Sequence, residues 1–274
     1  MLSVTGTIRA RPAETINSEL PTGSVEIGDA SVEILSRAEP PPFQIDGRVE
    51  VDETIRIRLR YLDLRNSRMQ RNLRSRSAIN ASIRRAMDAQ EFVDVETPML
   101  IASTPEGARD FVVPSRLSPG NFYALPQSPQ LFKQLCMVGG IDRYYQIARC
   151  MRDEDLRADR QFEFSQLDME MSFADGETVR EVISQAVSEA AETITGERPG
   201  PIPEISWLEA MNKYGSDKPD IRNGLELVDL PAIISETDFN AFKAPCIKGL
   251  KVEGGSDLGR NPVSYTHLTL PTKA

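Results

Sequence analysis

Between Tyr144 and Phe173 the chain carries two alternating runs separated by nine mostly charged residues, Asp153 to Gln161. A strand, a polar loop and a second strand in direct succession close as an antiparallel hairpin. This segment therefore commits the fold to a sheet. Phe162 and Phe164, then Leu167, Met169, Met171 and Phe173, mark its apolar sides. The change of parity near Ser165 predicts a bulge. Gln166, Asp168, Glu170 and Ser172 share the opposite, polar face.

Helical patterns surround this hairpin. Over 66–90, Ile79, Ile83, Ala86 and Met87 form one apolar stripe. Over 178–194, Val179, Val182, Ile183, Ala186, Val187 and Ala190 form another. Shorter helices are predicted over 127–137 and 207–214. Glu91 to Thr97 alternates like a strand that Pro98 stops, and Asn121 to Leu125 reads as a short strand. Segments 2–9, 23–27 and 30–35 alternate with period two. They are too few to close a barrel alone, and they read as the end of a β-domain. The run Pro40-Pro41-Pro42 then marks a linker.

Composition excludes several chemistries. The one histidine, His267, stands near the C-terminus, and the three cysteines, Cys136, Cys150 and Cys246, are far apart. A histidine-based triad, a zinc finger and a disulfide framework are thereby disfavoured, and no metal ligand set is predicted. No apolar run reaches the roughly 20 residues of a membrane span, and the N-terminus lacks a signal pattern, so a cytoplasmic location is expected. The net charge is −9, yet ten arginines face one acid, Asp63, between Arg56 and Arg85. Structural ion pairs and a basic surface for an anionic polymer both fit that run.

Neither a P-loop nor a dinucleotide-binding glycine turn is present. A nucleotide would instead meet side chains on a sheet face. Arg152, where the first hairpin strand ends, can hold a phosphate oxygen through two N–H donors, with Glu154 two residues on. The same Arg-x-Glu pattern is also that of a solvated ion pair. Gln130 and Lys133 share a helix face at i, i+3. With Asp168 they can form a pocket for a zwitterion, Asp168 taking an ammonium and Lys133 a carboxylate. Glu106, in a Pro/Gly loop from Ser103 to Asp110, can close over a cation or simply face solvent.

These residues stand in segments that resemble one family. Arg58-Leu59-Arg60-Tyr61-Leu62-Asp63-Leu64-Arg65 resembles the entry to the catalytic domain of class II aminoacyl-tRNA synthetases. The helix before Val95-Glu96-Thr97-Pro98-Met99-Leu100 resembles their first motif, and 144–154 with 162–168 resembles their second. The wording of 103–110, 127–134 and 153–161 is similar to the bacterial, aspartate-specific branch.

The resemblance implies an α+β fold, an antiparallel sheet flanked by helices and preceded by the end of an OB-type β-barrel. It implies an anticodon-binding remnant over 1–38, a catalytic domain over 39–223 and the start of an insertion domain over 224–262. Residues 263–274 match nothing in the family and read as a non-native tail. The implied reaction joins L-aspartate to tRNA(Asp) through aspartyl-adenylate, using ATP and Mg²⁺. Arg152 is the implied catalytic residue. Glu106, Ser128, Gln130, Lys133, Arg152 and Asp168 would bind aspartate. Arg152, Asp153, Glu154 and Gln161 would bind ATP. A homodimer through the first motif is implied. The family's third motif and a later side-chain-reading arginine are missing, so this segment by itself is expected to be inactive. The alternatives are an asparagine or lysine ligase, or a non-catalytic tRNA-binding relative.

Overall fold

The computed structural model describes residues 1–104, 106–156, 160–230 and 246–255, with the backbone alone for Asn223. The chain divides into two compact units, 1–199 and 200–274. His267, the tail at 263–274 and most of 224–262 lie outside the described residues.

The first unit opens with an antiparallel hairpin of β1 (Leu2–Ala10) and β2 (Val25–Ile34). The two runs read separately at 23–27 and 30–35 are one strand. A register irregularity opposite Thr5 and Thr7 joins them, and Asp29 there has a φ of 49°. Val4, Ile8, Ile27, Val32 and Ile34 are exposed on this hairpin. A closed barrel is not among the described elements.

Two short helices follow, α1 (Glu53–Arg58) and α2 (Arg60–Asp63). Asp63 is buried there between Arg56 and Arg60, with Arg56 Nε 3.0 Å away. Burial alone raises the pKa of its carboxyl, but hydrogen bonds and charge from the two guanidinium groups outweigh burial and hold it below the ordinary value. Arg84 pairs with Asp94 at 3.6 Å, and Arg76 donates to Ser165 at 3.0 Å. Structural pairing thus uses part of the arginine run, while Arg58, Arg65, Arg68, Arg71 and Arg85 stay exposed.

The long helix α3 (Ser67–Ala89) starts where the Asn66 side chain accepts from the Arg68 N–H. It is followed by β3 (Val93–Asp94), then by the hairpin of β4 (Val112–Pro114) and β5 (Phe122–Ala124). Next come α4 (Gln130–Val138), β6 (Arg143–Met151), β7 (Glu163–Met171) and α5 (Gly176–Thr195). The Asp175 side chain caps α5, and Gly196 ends it in the left-handed conformation glycine favours.

The central sheet has the order β3-β6-β7. β6 and β7 are antiparallel as expected, whereas β3 runs parallel to β6. The sheet is therefore mixed, and the strand expected over Glu91–Thr97 shortens to two residues. The register of β6 with β7 runs unbroken from Arg143↔Met171 to Met151↔Glu163, so the predicted bulge near Ser165 is absent. Phe162 precedes the strand, which leaves Phe164 on the polar face.

Side chains alternate across the sheet. Tyr145, Leu167, Met169 and Met171 face α3 and α5, and they pack with Ile83, Ala86, Met87, Phe92, Val182 and Ala186. Burying Phe92 contributes about 1.5–3 kcal/mol. Ala86 and Ala186, fully buried on the two helices, allow their close approach. The second unit contains α6 (Trp207–Tyr214), capped by Ser206, and a hairpin of β8 (Leu227–Asp229) and β9 (Lys248–Leu250).

The close packing of α3 on α5 makes Ala186→Leu destabilising by about 1–3 kcal/mol. The neighbouring exposed change Val187→Leu should stay within about 0.5 kcal/mol. Urea unfolding of the two variants checks this.

Candidate substrate site

The polar sheet face is built by the cross-strand pairs Tyr144↔Glu170, Gln146↔Asp168, Ala148↔Gln166 and Cys150↔Phe164. Helix α4 packs against this face and delivers Lys133 to it. The Lys133 ammonium lies 3.1 and 3.3 Å from the two carboxylate oxygens of Asp168, and 3.4 Å from Glu170 Oε2. Lys133 and Asp168 side chains are only 12% and 8% exposed, so water screens the pair little.

Asp168 Oδ2 also accepts from Gln166 Nε2 at 3.1 Å. Its Oδ1 is buried and faces the Lys133 charge, but among the described residues no donor is aligned on it as a hydrogen bond. Burial pushes the Asp168 carboxyl above the ordinary carboxylate value, and Glu170 adds to this, against the opposing pull of Lys133 and Gln166. One ammonium between two carboxylates leaves the cluster one negative charge in excess. Such a cluster can accept a further cation at Asp168 while Lys133 holds an anion.

Beneath these groups Cys150 is fully buried. Its thiol is raised to about 11, first by burial, with Arg152 pulling it down and Asp168 and Glu106 pushing it up. The thiol thus lies within reach of the fields of three predicted site residues. Tyr144, equally buried, is raised by burial and then by the Asp168 charge. Its hydroxyl and that of Thr97 both donate to Gln146 Oε1 at 3.0 Å. The Gln146 carboxamide is oriented by that pair of bonds.

Glu106 is gripped by two hydroxyls. Ser128 Oγ donates to its Oε2 at 2.5 Å, and Thr104 Oγ1 to its Oε1 at 3.1 Å. Ser128 Oγ also accepts from the backbone N–H of Gln130 at 3.4 Å, at the start of α4. The α4 helix begins at Gln130 rather than at Gln127, because Gln127 to Pro129 form the turn that meets the Glu106 loop.

Arg152 continues the β6 ladder, its N–H donating to Phe162 O at 2.9 Å. Its guanidinium carbon stands 5.1 Å from the centre of the Phe164 ring. The other residues expected on the nucleotide side are not gathered around it. Asp153 pairs with Arg109 at 3.5 Å, Glu154 pairs with Arg160 at 3.1 Å, and Gln161 is exposed. The Gln130 side chain, also exposed, makes no hydrogen bond to a described residue.

Sequence reasoning left four contributors unassigned. Glu170 was visible on the polar strand face, two residues from Asp168, and needed only the lysine's position to gain a role. Phe164 was signalled by the parity change, which marks an aromatic on the polar face instead of a bulge. Gln146 and Gln127 carried no signal in their spacing.

The chain matches the family model described as tRNA synthetases class II (D, K and N) over residues 52–261. It is 51% identical over 255 residues to "Aspartate--tRNA(Asp/Asn) ligase" of Moorella thermoacetica, covering 93% of this chain and 42% of that protein. It is 49% identical over 263 residues to "Aspartate--tRNA ligase" of Geobacillus kaustophilus, covering 96% and 45%. A solved structure from Leishmania major Friedlin, assigned as an aspartyl-tRNA synthetase, superimposes with a TM-score of 0.62 at 20% identity. It covers 72% of this chain and 39% of that one. The chain thus spans less than half the length of the curated relatives it matches.

The raised Asp168 carboxyl gives a pH signature. Its folded state keeps a proton that the unfolded state releases near the ordinary value of 3.8. The stability this contributes is complete below that value and is lost as the pH rises through the folded-state value. Melting temperatures measured from pH 3 upward should show the wild type losing ground to Asp168→Asn across that window. Parallel profiles would contradict the assignment.

Proposed function

The chain belongs to the class II tRNA synthetases of the D, K and N group, and on that footing we propose that it carries the amino-acid side of an aspartate–tRNA ligase site. The observation that carries this reading is the Lys133 ammonium held between Asp168 and Glu170 on the buried sheet face. A fixed ammonium suits a substrate with an acidic side chain. It repels a lysine side chain and offers an amide much less. That contrast favours aspartate over the lysine and asparagine alternatives within the family.

In this reading the substrate's ammonium joins Lys133 at Oδ1 of Asp168, the oxygen with an ion pair but no aligned hydrogen bond, and its side-chain carboxylate takes Lys133. Glu106, held by Ser128 and Thr104, closes over the ammonium from the loop. Gln130 completes the contacts from the start of α4. Arg152 neutralises the α-phosphate of ATP and the reacting carboxylate, and the Phe164 ring beneath it offers a face on which a purine can stack. Asp153, Glu154 and Gln161 join the nucleotide side.

The substrate α-carboxylate oxygen attacks the α-phosphorus of ATP, the bond to the β-phosphate oxygen breaks and pyrophosphate leaves. A terminal ribose hydroxyl of tRNA(Asp) then attacks the aspartyl carbonyl and AMP leaves. Positioning and charge neutralisation supply the rate, so no histidine base is needed. Class II synthetases use ATP with a divalent metal. We assign Mg²⁺, which would be carried largely by the nucleotide's phosphates, since no group of three acidic, His or Cys side chains among the described residues could hold an ion.

The exposed apolar residues Leu73, Val93 and Leu100 support pairing of two copies through the segment from α3 to Leu100. The exposed apolar faces of β1 and β2 support reading 1–38 as part of an anticodon-binding OB domain, ahead of the catalytic segment 39–223 and an insertion beginning at 224. No helix among the described residues is long and apolar enough to cross a membrane. Action in the cytoplasm fits the reaction proposed.

Aspartate-dependent ATP–pyrophosphate exchange by a full-length enzyme carrying this segment tests the reading. Lys133→Met should lower kcat/KM for aspartate about 100-fold, on the order of 3 kcal/mol, the scale of a lost charge-assisted bond. Exchange driven equally well by asparagine or lysine in the wild type would refute the choice of substrate.

A further inference from the structure

The side chain of Gln127 is almost completely buried, with 1% exposure, and it lies in the turn before α4 rather than on the polar face. All its visible bonds reach back 17 to 19 residues, into the loop that carries Glu106. Its Oε1 accepts from the Ala108 N–H at 3.1 Å, and its Nε2 donates to the Ala108 carbonyl at 2.9 Å. The same Nε2 donates to Asp110 Oδ1. One carboxamide thus pairs with both backbone groups of a single residue, as a neighbouring strand would. Water cannot replace it cheaply at that depth.

The rest of the loop is arranged around this clamp. Ser103 Oγ donates to Asp110 Oδ2 at 2.5 Å and ties the two ends of the loop together. Gly107 stands between the clamped Ala108 and Glu106 with a φ of 99°, and a Cβ built there would meet nothing within 4 Å. That single glycine is the free step between a fixed stem and the acidic tip. The tip itself is held by Ser128, the residue next to Gln127. One dipeptide therefore sets both where the loop is rooted and where its carboxylate rests.

We infer that Gln127 is a positioning residue for the amino-acid substrate: by clamping Ala108 and Asp110 it fixes the root from which Glu106 reaches the substrate ammonium. The inference rests on the aspartate-ligase reading and adds to it a residue that touches no substrate. Loss of the clamp leaves Glu106 chemically intact and within reach of Ser128 and Thr104, but frees the stem at Ala108 and Asp110 from which it is presented. The cost therefore falls first on the amino acid: the nucleotide is bound from the Arg152 end of the hairpin, which the loop meets at Arg109 through an exposed ion pair with Asp153 and the Asp153 N–H.

The test is pyrophosphate exchange by a full-length enzyme carrying this segment, with KM for L-aspartate and for ATP measured separately. Hydrogen exchange at the Ala108 amide is followed in the same proteins. Gln127→Met should speed exchange at Ala108 at least tenfold. It should raise KM for aspartate about tenfold while leaving KM for ATP within twofold. A faster Ala108 amide with unchanged KM for aspartate would overturn the inference, and so would an equal rise in both KM values. Should Gln127→Met fail to fold, Ser103→Ala, an exposed change that opens the same loop base, replaces it, and a rise of about threefold in KM for aspartate alone is expected. No rise there overturns the proposal. A wild-type enzyme with no aspartate-dependent exchange would fail at the earlier step. That result rejects the substrate reading and this inference with it, and it differs from a defect confined to the variants.

Discussion

The unbroken register between β6 and β7 is the constraint on which the rest depends. Nine consecutive pairs, Arg143↔Met171 to Met151↔Glu163, give every side chain of the hairpin a fixed face. A slip of one residue would exchange the faces. With β7 slipped, Leu167, Met169 and Met171 would leave the α3–α5 core, and Asp168 and Glu170 would enter it. The core and the site are two sides of one decision. Met87, Ala86 and Ala186, all fully buried in that core, protect the geometry of the acids behind them.

The polar face runs counter to stability and gains chemistry from it. Asp168 is buried enough that its ionised form is disfavoured, and the lysine beside it recovers only part of the loss. A buried oxygen with an ion pair but no aligned hydrogen bond among the described residues is only partly satisfied. It is also a place where a ligand's ammonium gains more than it would from an oxygen already well bonded. Glu170, being more exposed, can give up Lys133 to an incoming carboxylate with less loss than Asp168 can.

Much of this was legible in the sequence because it rests on periodicity. The stripe of α3, the Val182 and Ala186 part of that of α5, and the alternation of β6 and β7 are local signals that the structure follows, whereas Val179 and Val187 of the α5 stripe stay exposed. The failures have physical causes. Periodicity could not tell a bulge from a single aromatic kept on the polar face, and Phe164 under Arg152 is the latter. It could not foresee that β3 would pair in parallel, and for two residues only, because pairing is a property of neighbours. Charge types pointed to Lys133 and Asp168 without pairing them directly or including Glu170. Gln127 was invisible, since a buried glutamine bonded to a loop 19 residues away leaves no pattern along the chain.

The two ends of the site differ in how firmly the described residues hold them. At the amino-acid end, the exposed Gln130 apart, the groups are doubly restrained: Lys133 has two acids, Glu106 two hydroxyls, and Gln146 two O–H donors. At the other end Arg152 rests on one ring, and the acids after it pair with exposed arginines, Asp153 with Arg109 of the Glu106 loop and Glu154 with Arg160 of its own loop. Exposed ion pairs of that kind contribute little and exchange readily. A small zwitterion must be distinguished by the placement of two charges a few ångströms apart, which demands a stiff frame. A triphosphate brings its own charge and can draw mobile cationic and acidic side chains around it. In the function proposed above, the hairpin would meet both needs by leading from a buried, cross-braced strand face into a charged loop.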